Sequence, residues 1–253
     1  MELNKKEIFE ICELASKSKE GHIGSSLSIL NILNCIYKSY DVSKNPFILS
    51  KGHASLGLYV ILKKYGFINQ EQLDSFCDFN SILGGHPHFR KIPNGVFGST
   101  GSLGHGLPIG VGKALAFKAS NIESKVTVLI GDGELNEGSN WEGFLLSVHH
   151  KLDNLTCIVD FNNSSERALS VKNVPRALAE LGWFVKEING HDEYEIEQVL
   201  KEEIIGKPKL IWANTIKGKG ISFMEGNPEW HHKSPTESEL ILIKKELNYA
   251  QTI

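Results

Sequence analysis

The sequence predicts an α/β protein built on a doubly wound, mostly parallel sheet with helices on both faces. Three observations carry this. Short runs rich in Val and Ile recur at 126–130, 155–161, 183–188 and 210–215. Segments with apolar residues at helical spacing separate them, and such alternation makes a parallel sheet covered on both sides. The first two runs end in Gly131-Asp132-Gly133 and Asn162-Asn163, and in these sheets ligands gather beyond the carboxyl ends of the strands.

The elements follow in order. Residues 4–19 carry Ile8, Ile11, Leu14 and Ala15 on one helical face, and 25–40 carry Leu27, Leu30, Leu33, Ile36 and Tyr37. The stretch 54–65 predicts a helix ended by Gly66, 69–78 a shorter helix, and 107–119 a helix entered from a Gly-rich loop. Helices are expected around 139–151, 173–181 and 192–204, between the four strands. Crossovers between parallel strands should be right-handed. No repeat or low-complexity linker divides the chain, so one domain over 1–253 is expected.

Composition narrows the class. The chain has 253 residues, 41% apolar and 23% charged, as in an ordinary globular protein. A net charge of −3 offers no surface for nucleic acid or an anionic membrane. No apolar run approaches the ~18 residues of a membrane span, and MELNKKEIFE is not a signal peptide. Cys12, Cys35, Cys77 and Cys157 are scattered, with no CxxC. They read as reduced thiols, and a cytoplasmic location is expected.

The two polar turns raise the chemical question. Asp132 lies just past one strand and Asn162 just past the next, so the fold would bring them close. A carboxylate, an amide oxygen and a backbone carbonyl form half of a hard-oxygen shell, and Mg2+ takes about six oxygens, often completed by phosphates and water. Gly131 and Gly133 let the backbone approach a phosphate, and the Gly133 N–H can donate to one. Alone, the Gly-Asp-Gly turn would equally suit a plain strand-to-helix turn with Asp as cap. The Asn pair at the next strand end favours a metal-bridged diphosphate.

Histidine placement agrees. Five of ten histidines directly follow glycine (His22, His53, His86, His105 and His191), where 24 glycines in 253 residues give about one by chance. A Gly-His step marks a tight loop that presents an imidazole. Four of them, in loops that precede helices of one sheet, suggest a polar substrate pocket. His149 and His150 read as helix-surface residues, and His88 and His232 as neighbours of the pocket.

At this point the sequence resembles the transketolase family of thiamine-diphosphate enzymes. Gly131-Asp132-Gly133, followed thirty residues after Asp132 by Asn162-Asn163, is similar to its cofactor motif. The flanking segments GHIGSSLS, LSKGHASLGLY, LGGHPHF, STGSLGHGLPIGVGKALA, GDGELNEGSNWE and NPEWHHKSP occur in family order over roughly 20–235. The resemblance implies the thiamine-diphosphate-binding fold of the diphosphate-side domain. It implies thiamine diphosphate and Mg2+ as cofactors, with Ca2+ or Mn2+ as alternatives.

Residue by residue, it implies that Asp132, Asn162 and the Ser164 carbonyl hold the metal. Gly133 N–H and His53 would contact the diphosphate. Gly101, Ser102 and Leu103 would lie along the cofactor near its aminopyrimidine. His22, His86 and His231 would face the sugar and move protons, with His231 also near the diphosphate; His232 is the alternative to its neighbour. Glu137, grouped with the catalytic residues, and Glu142, grouped with the cofactor site, match family carboxylates at a subunit interface. Glu142 equally suits a first-turn acid complementing a helix dipole.

Four departures stand out. After the Asn pair the family usually continues Gly and alternating isoleucines, which pack on the cofactor rings; here it reads Ser164-Ser165-Glu166-Arg167. His105 stands where many relatives have Gln, and the 41–50 segment is short. The fourth departure is larger. In full-length relatives a glutamate from a second, pyrimidine-binding domain activates the cofactor, and this chain ends at Ile253 without such a domain. The resemblance therefore implies the N-terminal subunit of a split transketolase. Its partner would be a separate C-terminal subunit, in an α2β2 assembly, and its substrates sugars or sugar phosphates. An apolar partner-facing surface is expected around 103–107 and the 137–148 helix. Two other readings compete: a 1-deoxyxylulose-phosphate-synthase-like or 2-oxoacid chemistry on the same scaffold, and a catalytically inactive diphosphate-binding scaffold.

Overall fold

The computed structural model describes residues 5–165 and 169–248. Five strands form one wholly parallel sheet: β1 (Phe47–Leu49), β2 (Val126–Gly131), β3 (Leu155–Phe161), β4 (Phe184–Asn189) and β5 (Lys209–Asn214), in the order β1-β2-β3-β5-β4. One face is covered by α1 (Lys5–Ser18), α2 (Ile23–Ser28), α3 (Leu30–Ser39), α4 (Ser55–Lys64), α5 (Gln70–Asp74), α9 (Glu193–Lys201) and α10 (Glu237–Glu246). The other is covered by α6 (Gly106–Ala119), α7 (Gly138–His149) and α8 (Val174–Leu181).

Strand alternation sorts the two cores. Val126, Val128 and Ile130 of β2 pack toward α6 and α7, whereas Leu129 packs toward the opposite helices. β2 and β3 are buried along their whole length, as strands covered on both faces must be. α6 lies close on the sheet because of Gly110: a Cβ there would sit 2.3 Å from Val128 Cγ2.

Four expectations need correction. The helix expected at 25–40 is two helices broken at Ile29 (φ −108°, ψ 4°). Ser28 Oγ donates to the Ser25 carbonyl and to the Asp160 carboxylate, and such serine bonds compete with helical backbone. The helix expected at 69–78 spans only Gln70–Asp74; Cys77 has φ +61° and Asn80 φ +68°, which end it. β1 and α10 are additions to the expected elements. β1 has three residues, too few to show a period. α10 does carry a readable start, the Thr236…Glu239 capping box.

The core gives one stability prediction. Phe144 is fully buried between Trp141 and Trp183, with ring centroids 5.9 and 5.4 Å away. Phe144→Ala should cost about 3–5 kcal/mol, read as a lower urea midpoint at unchanged m value. A loss below about 1 kcal/mol would mean that α7 is not seated as described.

Candidate active site at the carboxyl ends of the strands

The sheet register builds the site. Gly131 of β2 pairs with Asp160 of β3, so Asp132 and Asn162 leave adjacent strands on the same edge. Asp132 is 3% exposed. Its Oδ1 accepts from the Gly133 N–H at 2.8 Å, and among the described residues its Oδ2 takes only a long 3.4 Å bond from the Ser165 N–H. Burial, then the neighbouring Asp160, raises its carboxyl above the ordinary carboxylate range. Among the described residues no lysine or arginine pairs with it.

Asp160 is the fixed point beneath. Its buried carboxylate accepts from Ser28 Oγ (2.8 Å), Asn162 Nδ2 (2.9 Å), Lys51 Nζ and Thr215 Oγ1. That ties α2, the turn after β1 and the ends of β3 and β5 to one group. Its bond to the Asn162 amide nitrogen turns Asn162 Oδ1 away from Asp160, and that oxygen accepts from the Ser164 N–H at 3.1 Å and from Ser164 Oγ. Lys51 is itself 1% exposed, and its ion pair offsets Asp160 rather than Asp132.

A second buried acid organises the loops. Glu134 accepts from Gly131 N–H (2.9 Å), Gly104 N–H (2.9 Å) and Ser50 Oγ (2.5 Å). It thereby joins the ends of β1 and β2 to the loop that carries Gly101, Ser102 and Leu103. Burial raises its carboxyl as well.

The imidazoles converge from distant segments. The ring of His22 lies 5.0 Å from His53, 5.5 Å from His231 and 4.6 Å from His232, centroid to centroid. Burial, then His232 and His231, lowers His22 to about 4; burial and then Lys51 lower His53 to about 2. Both are neutral near pH 7, so each can donate at one nitrogen and accept at the other. His86 is exposed and its ring covers Gly101, where a Cβ would meet Cδ2 at 3.0 Å. Lys217 closes the far side: its Nζ bonds Ser164 Oγ at 3.2 Å and also His231 Nδ1. Burial, then Lys51, lowers its ammonium to about 8.

Most of the expected residues therefore share one edge, and some differ in detail. His231, not His232, is bonded to Lys217, although both rings touch His22. The Gly133 N–H is turned to Asp132, so it would have to leave that bond to reach a phosphate. Glu137 packs against Gly104, where a Cβ would sit 2.5 Å from Glu137 Cβ. Glu142 is exposed on α7. His105 is exposed, with Nδ1 2.9 Å from the Leu103 carbonyl. His191 stands outside the cluster, bonded to Ile216. Glu166 and Arg167 lie outside the described residues. Sequence reasoning missed Lys51, Glu134, Asp160 and Lys217. Lys217 carried a usable signal, a cation among glycines past a strand end; the other three did not, because the partners that give them their role (Lys51 with Asp160, Glu134 with Ser50 and Gly104) are remote in sequence.

A cleft of about 490 Å3 runs along this edge, lined by Asn162, Ser164, Thr215, Lys217 and His231 among others. A wider one of about 820 Å3 opens at the amino-terminal end of the sheet. Its charges are already satisfied, as in Lys118–Asp153 and Lys125–Glu203 (each 2.9 Å) and in Lys209 Nζ on the Val199 carbonyl. The chemistry belongs to the smaller cleft.

No cluster of three His, Cys, Asp or Glu side chains among the described residues could hold a metal. The donors at this edge are of another kind. Among the described residues the buried Asp132 carboxylate has no cationic side chain bonded to it, and the Asn162 amide oxygen and Ser164 carbonyl would add neutral oxygens. That set fits a hard divalent cation bridged to an anion. Lys217 adds a positive charge on the same side. The four cysteines are free, and no helix among the described residues is long and apolar enough to cross a membrane.

Comparison with known proteins agrees with this geometry. The family model described as "Transketolase, thiamine diphosphate binding domain" matches residues 9–252. An apulose-4-phosphate transketolase subunit of Phocaeicola vulgatus is 39% identical, over 94% of this chain and 89% of that protein. A 6-deoxy-6-sulfo-D-fructose transketolase subunit of a Clostridium species is 34% identical, over 86% of this chain and 84% of that protein. The crystal structure of a transketolase from Campylobacter jejuni superposes with a TM-score of 0.85 at 30% identity. It covers 98% of this chain, which spans 43% of that one.

Proposed function

This chain belongs to the transketolase family through its thiamine-diphosphate-binding domain, and from that premise we propose that it is the N-terminal subunit of a two-chain transketolase. The reaction is transfer of a two-carbon ketol unit from a ketose, or its phosphate, to an aldose. The observation that carries the reading is the convergence of His22, His53 and His231 beside the Asp132, Asn162 and Lys217 strand ends. Two relatives named as transketolase subunits, matched over most of their length, support the two-chain arrangement. The substrates in their names support a sugar or sugar phosphate here.

Bound thiamine diphosphate supplies the carbanion chemistry of ketol transfer. This chain's residues do the rest. Asp132, Asn162 and the Ser164 carbonyl hold Mg2+, or Ca2+ or Mn2+ in its place. His53, Lys217 and, after release from Asp132, the Gly133 N–H take the diphosphate. Gly101, Ser102 and Leu103 seat the aminopyrimidine, in a loop held by Glu134. His22, His86 and His231 bond sugar hydroxyls and carry protons. One diphosphate-binding domain over 1–253, working in the cytoplasm, is part of this reading. A 2-oxoacid donor would not use so many hydroxyl partners, and an inactive scaffold would not need the intact histidine set.

A separate C-terminal subunit supplies the pyrimidine-side acid, in an α2β2 assembly. The face it covers differs from the expected one: Leu107 and Phe144 are core, fully buried, and Ile109 of α6 joins the exposed set. Leu103, Ile109, Leu145 and Leu146 are 36–53% exposed along the 101–105 loop, α6 and α7. Such a face on an isolated subunit favours self-association. Glu137 and Glu142 flank it.

A mixing assay tests the proposal. A ketose donor and an aldose acceptor are incubated with thiamine diphosphate, Mg2+ and either one of the two polypeptides or both together. Only the mixture should turn over, and cofactor affinity should tighten with assembly, because binding and assembly are linked. Full turnover by this chain, purified free of any partner, would refute the split-subunit reading.

A further inference from the structure

His191 follows a glycine like the pocket histidines, yet it sits on the loop between β4 and α9. Its Nε2 accepts from the Ile216 N–H at 2.8 Å. The segment it grips is the exit of β5 toward the cleft, and each residue there is pinned. Thr215 Oγ1 donates to Asp160, Lys217 Nζ reaches Ser164 and His231, and Gly218 N–H donates to the Gly24 carbonyl. Ile216 is held through its backbone by His191.

The loop that carries the imidazole is shaped for this bond. Asn189 Oδ1 accepts from the His191 N–H at 3.0 Å, and the Gly190 N–H donates to the Asn214 carbonyl at 2.8 Å. A Cβ on Gly190 would sit 2.4 Å from Thr215 Cγ2, so only glycine lets the two strand ends touch. Asp192 then caps α9, accepting from the Tyr194 and Glu195 N–H groups. An acceptor Nε2 requires the proton on Nδ1, and Nδ1 is buried without a partner among the described residues. The Ile216 bond therefore fixes the tautomer of the ring, with its proton on Nδ1.

We propose that His191 is a positioning residue for the cofactor site: it fixes Ile216 and thereby aims the Lys217 ammonium at the diphosphate. The target of Lys217 rests on the function proposed above; the grip on Ile216 does not. Gln can place an acceptor near the Nε2 position, whereas Leu fills the space with none. His191→Leu should weaken thiamine diphosphate binding about fivefold, near the low end of what one lost hydrogen bond to a backbone N–H costs. His191→Gln should restore it to within about twofold.

Two measurements on the full chain decide the matter. The first is amide hydrogen exchange without ligand. The Ile216 amide should be protected in the wild type and in His191→Gln, and should exchange faster in His191→Leu. The second is calorimetric titration with thiamine diphosphate and Mg2+, with Asp132→Ala as the reference for a destroyed site. Unchanged exchange at Ile216 in His191→Leu would overturn the grip. A lower melting temperature at unchanged affinity would overturn the positioning role and leave His191 a structural residue. If the wild type and Asp132→Ala titrate alike, the cofactor site itself is wrong, and the exchange result still decides whether His191 holds Ile216.

Discussion

Asp132→Ala is expected to abolish binding of thiamine diphosphate with Mg2+. The carboxylate is 3% exposed and lies beside a second buried acid, Asp160. Lys51 is paired with Asp160, and no lysine or arginine among the described residues pairs with Asp132, which leaves its carboxylate to a cationic ligand. Without it the cation would face the diphosphate with neutral oxygens only. Breaking one side of a buried charge pair costs about 3–5 kcal/mol, or roughly 10²–10³-fold or more in affinity. Asn162→Ala should weaken binding strongly but less, because it removes a neutral ligand. The stability effect runs the other way. Burial raises the folded Asp132 carboxyl, so ionising it weakens the cofactor-free fold as pH rises past its unfolded value. Asp132→Ala should therefore melt at the same temperature as the wild type, or higher, at neutral pH. Calorimetric titration and a melting curve read both effects. Unchanged affinity would sink the assigned metal site; lost affinity with a collapsed melting temperature would mean that Asp132 is structural.

The sequence announces this site better than it announces what supports it. Asp132 and Asn162 are legible because a glycine-flanked acid and an Asn pair follow two Val/Ile-rich runs. Their adjacency follows once those runs are taken as neighbouring parallel strands, and β2 does pair with β3. The histidines are legible through the glycines before them, though not as one cluster. His22 and His231 meet only because α2 and the 3-10 turn over Pro228–His231 fold onto the same edge. Lys51 and Asp160 are opaque for a related reason: they are 109 residues apart. An acid at the end of LTCIVDF looks like a strand terminus until a buried ammonium is found on it. β1 is opaque because a three-residue strand has no period, yet it places Ser50, Lys51 and His53. α10 is legible in its capping box. The break between α2 and α3 is hidden because apolar spacing continues across Ile29 while the Ser28 hydroxyl turns to Asp160.

His22→Ala and His86→Ala should each cut turnover of the assembled enzyme by about 10²–10⁴-fold, the usual contribution of a positioned acid or base. Cofactor affinity should stay nearly intact in both. His22 leads into α2 with its ring against His53, His231 and His232. Burial and those neighbours hold it near 4, so at neutral pH it can take a proton from one sugar hydroxyl and donate to another. His86 lies over Gly101, near enough for its charge to act on His22. His53 lies deeper, pushed to about 2 by burial and Lys51, on the side of Lys51 and Asp160. His53→Ala should raise the apparent cofactor Kd by roughly tenfold, the cost of one hydrogen bond to a charged group. It should leave kcat at saturating cofactor within a few-fold of the wild type. Steady-state kinetics with cofactor and ketose varied separately divide the roles. His22→Ala and His86→Ala should lower kcat and kcat/KM for the sugar at full cofactor occupancy, and His53→Ala should shift only the cofactor curve. If all three variants lost cofactor binding alike, the imidazoles would be one diphosphate cradle, and proton transfer to the sugar would have to come from the partner subunit.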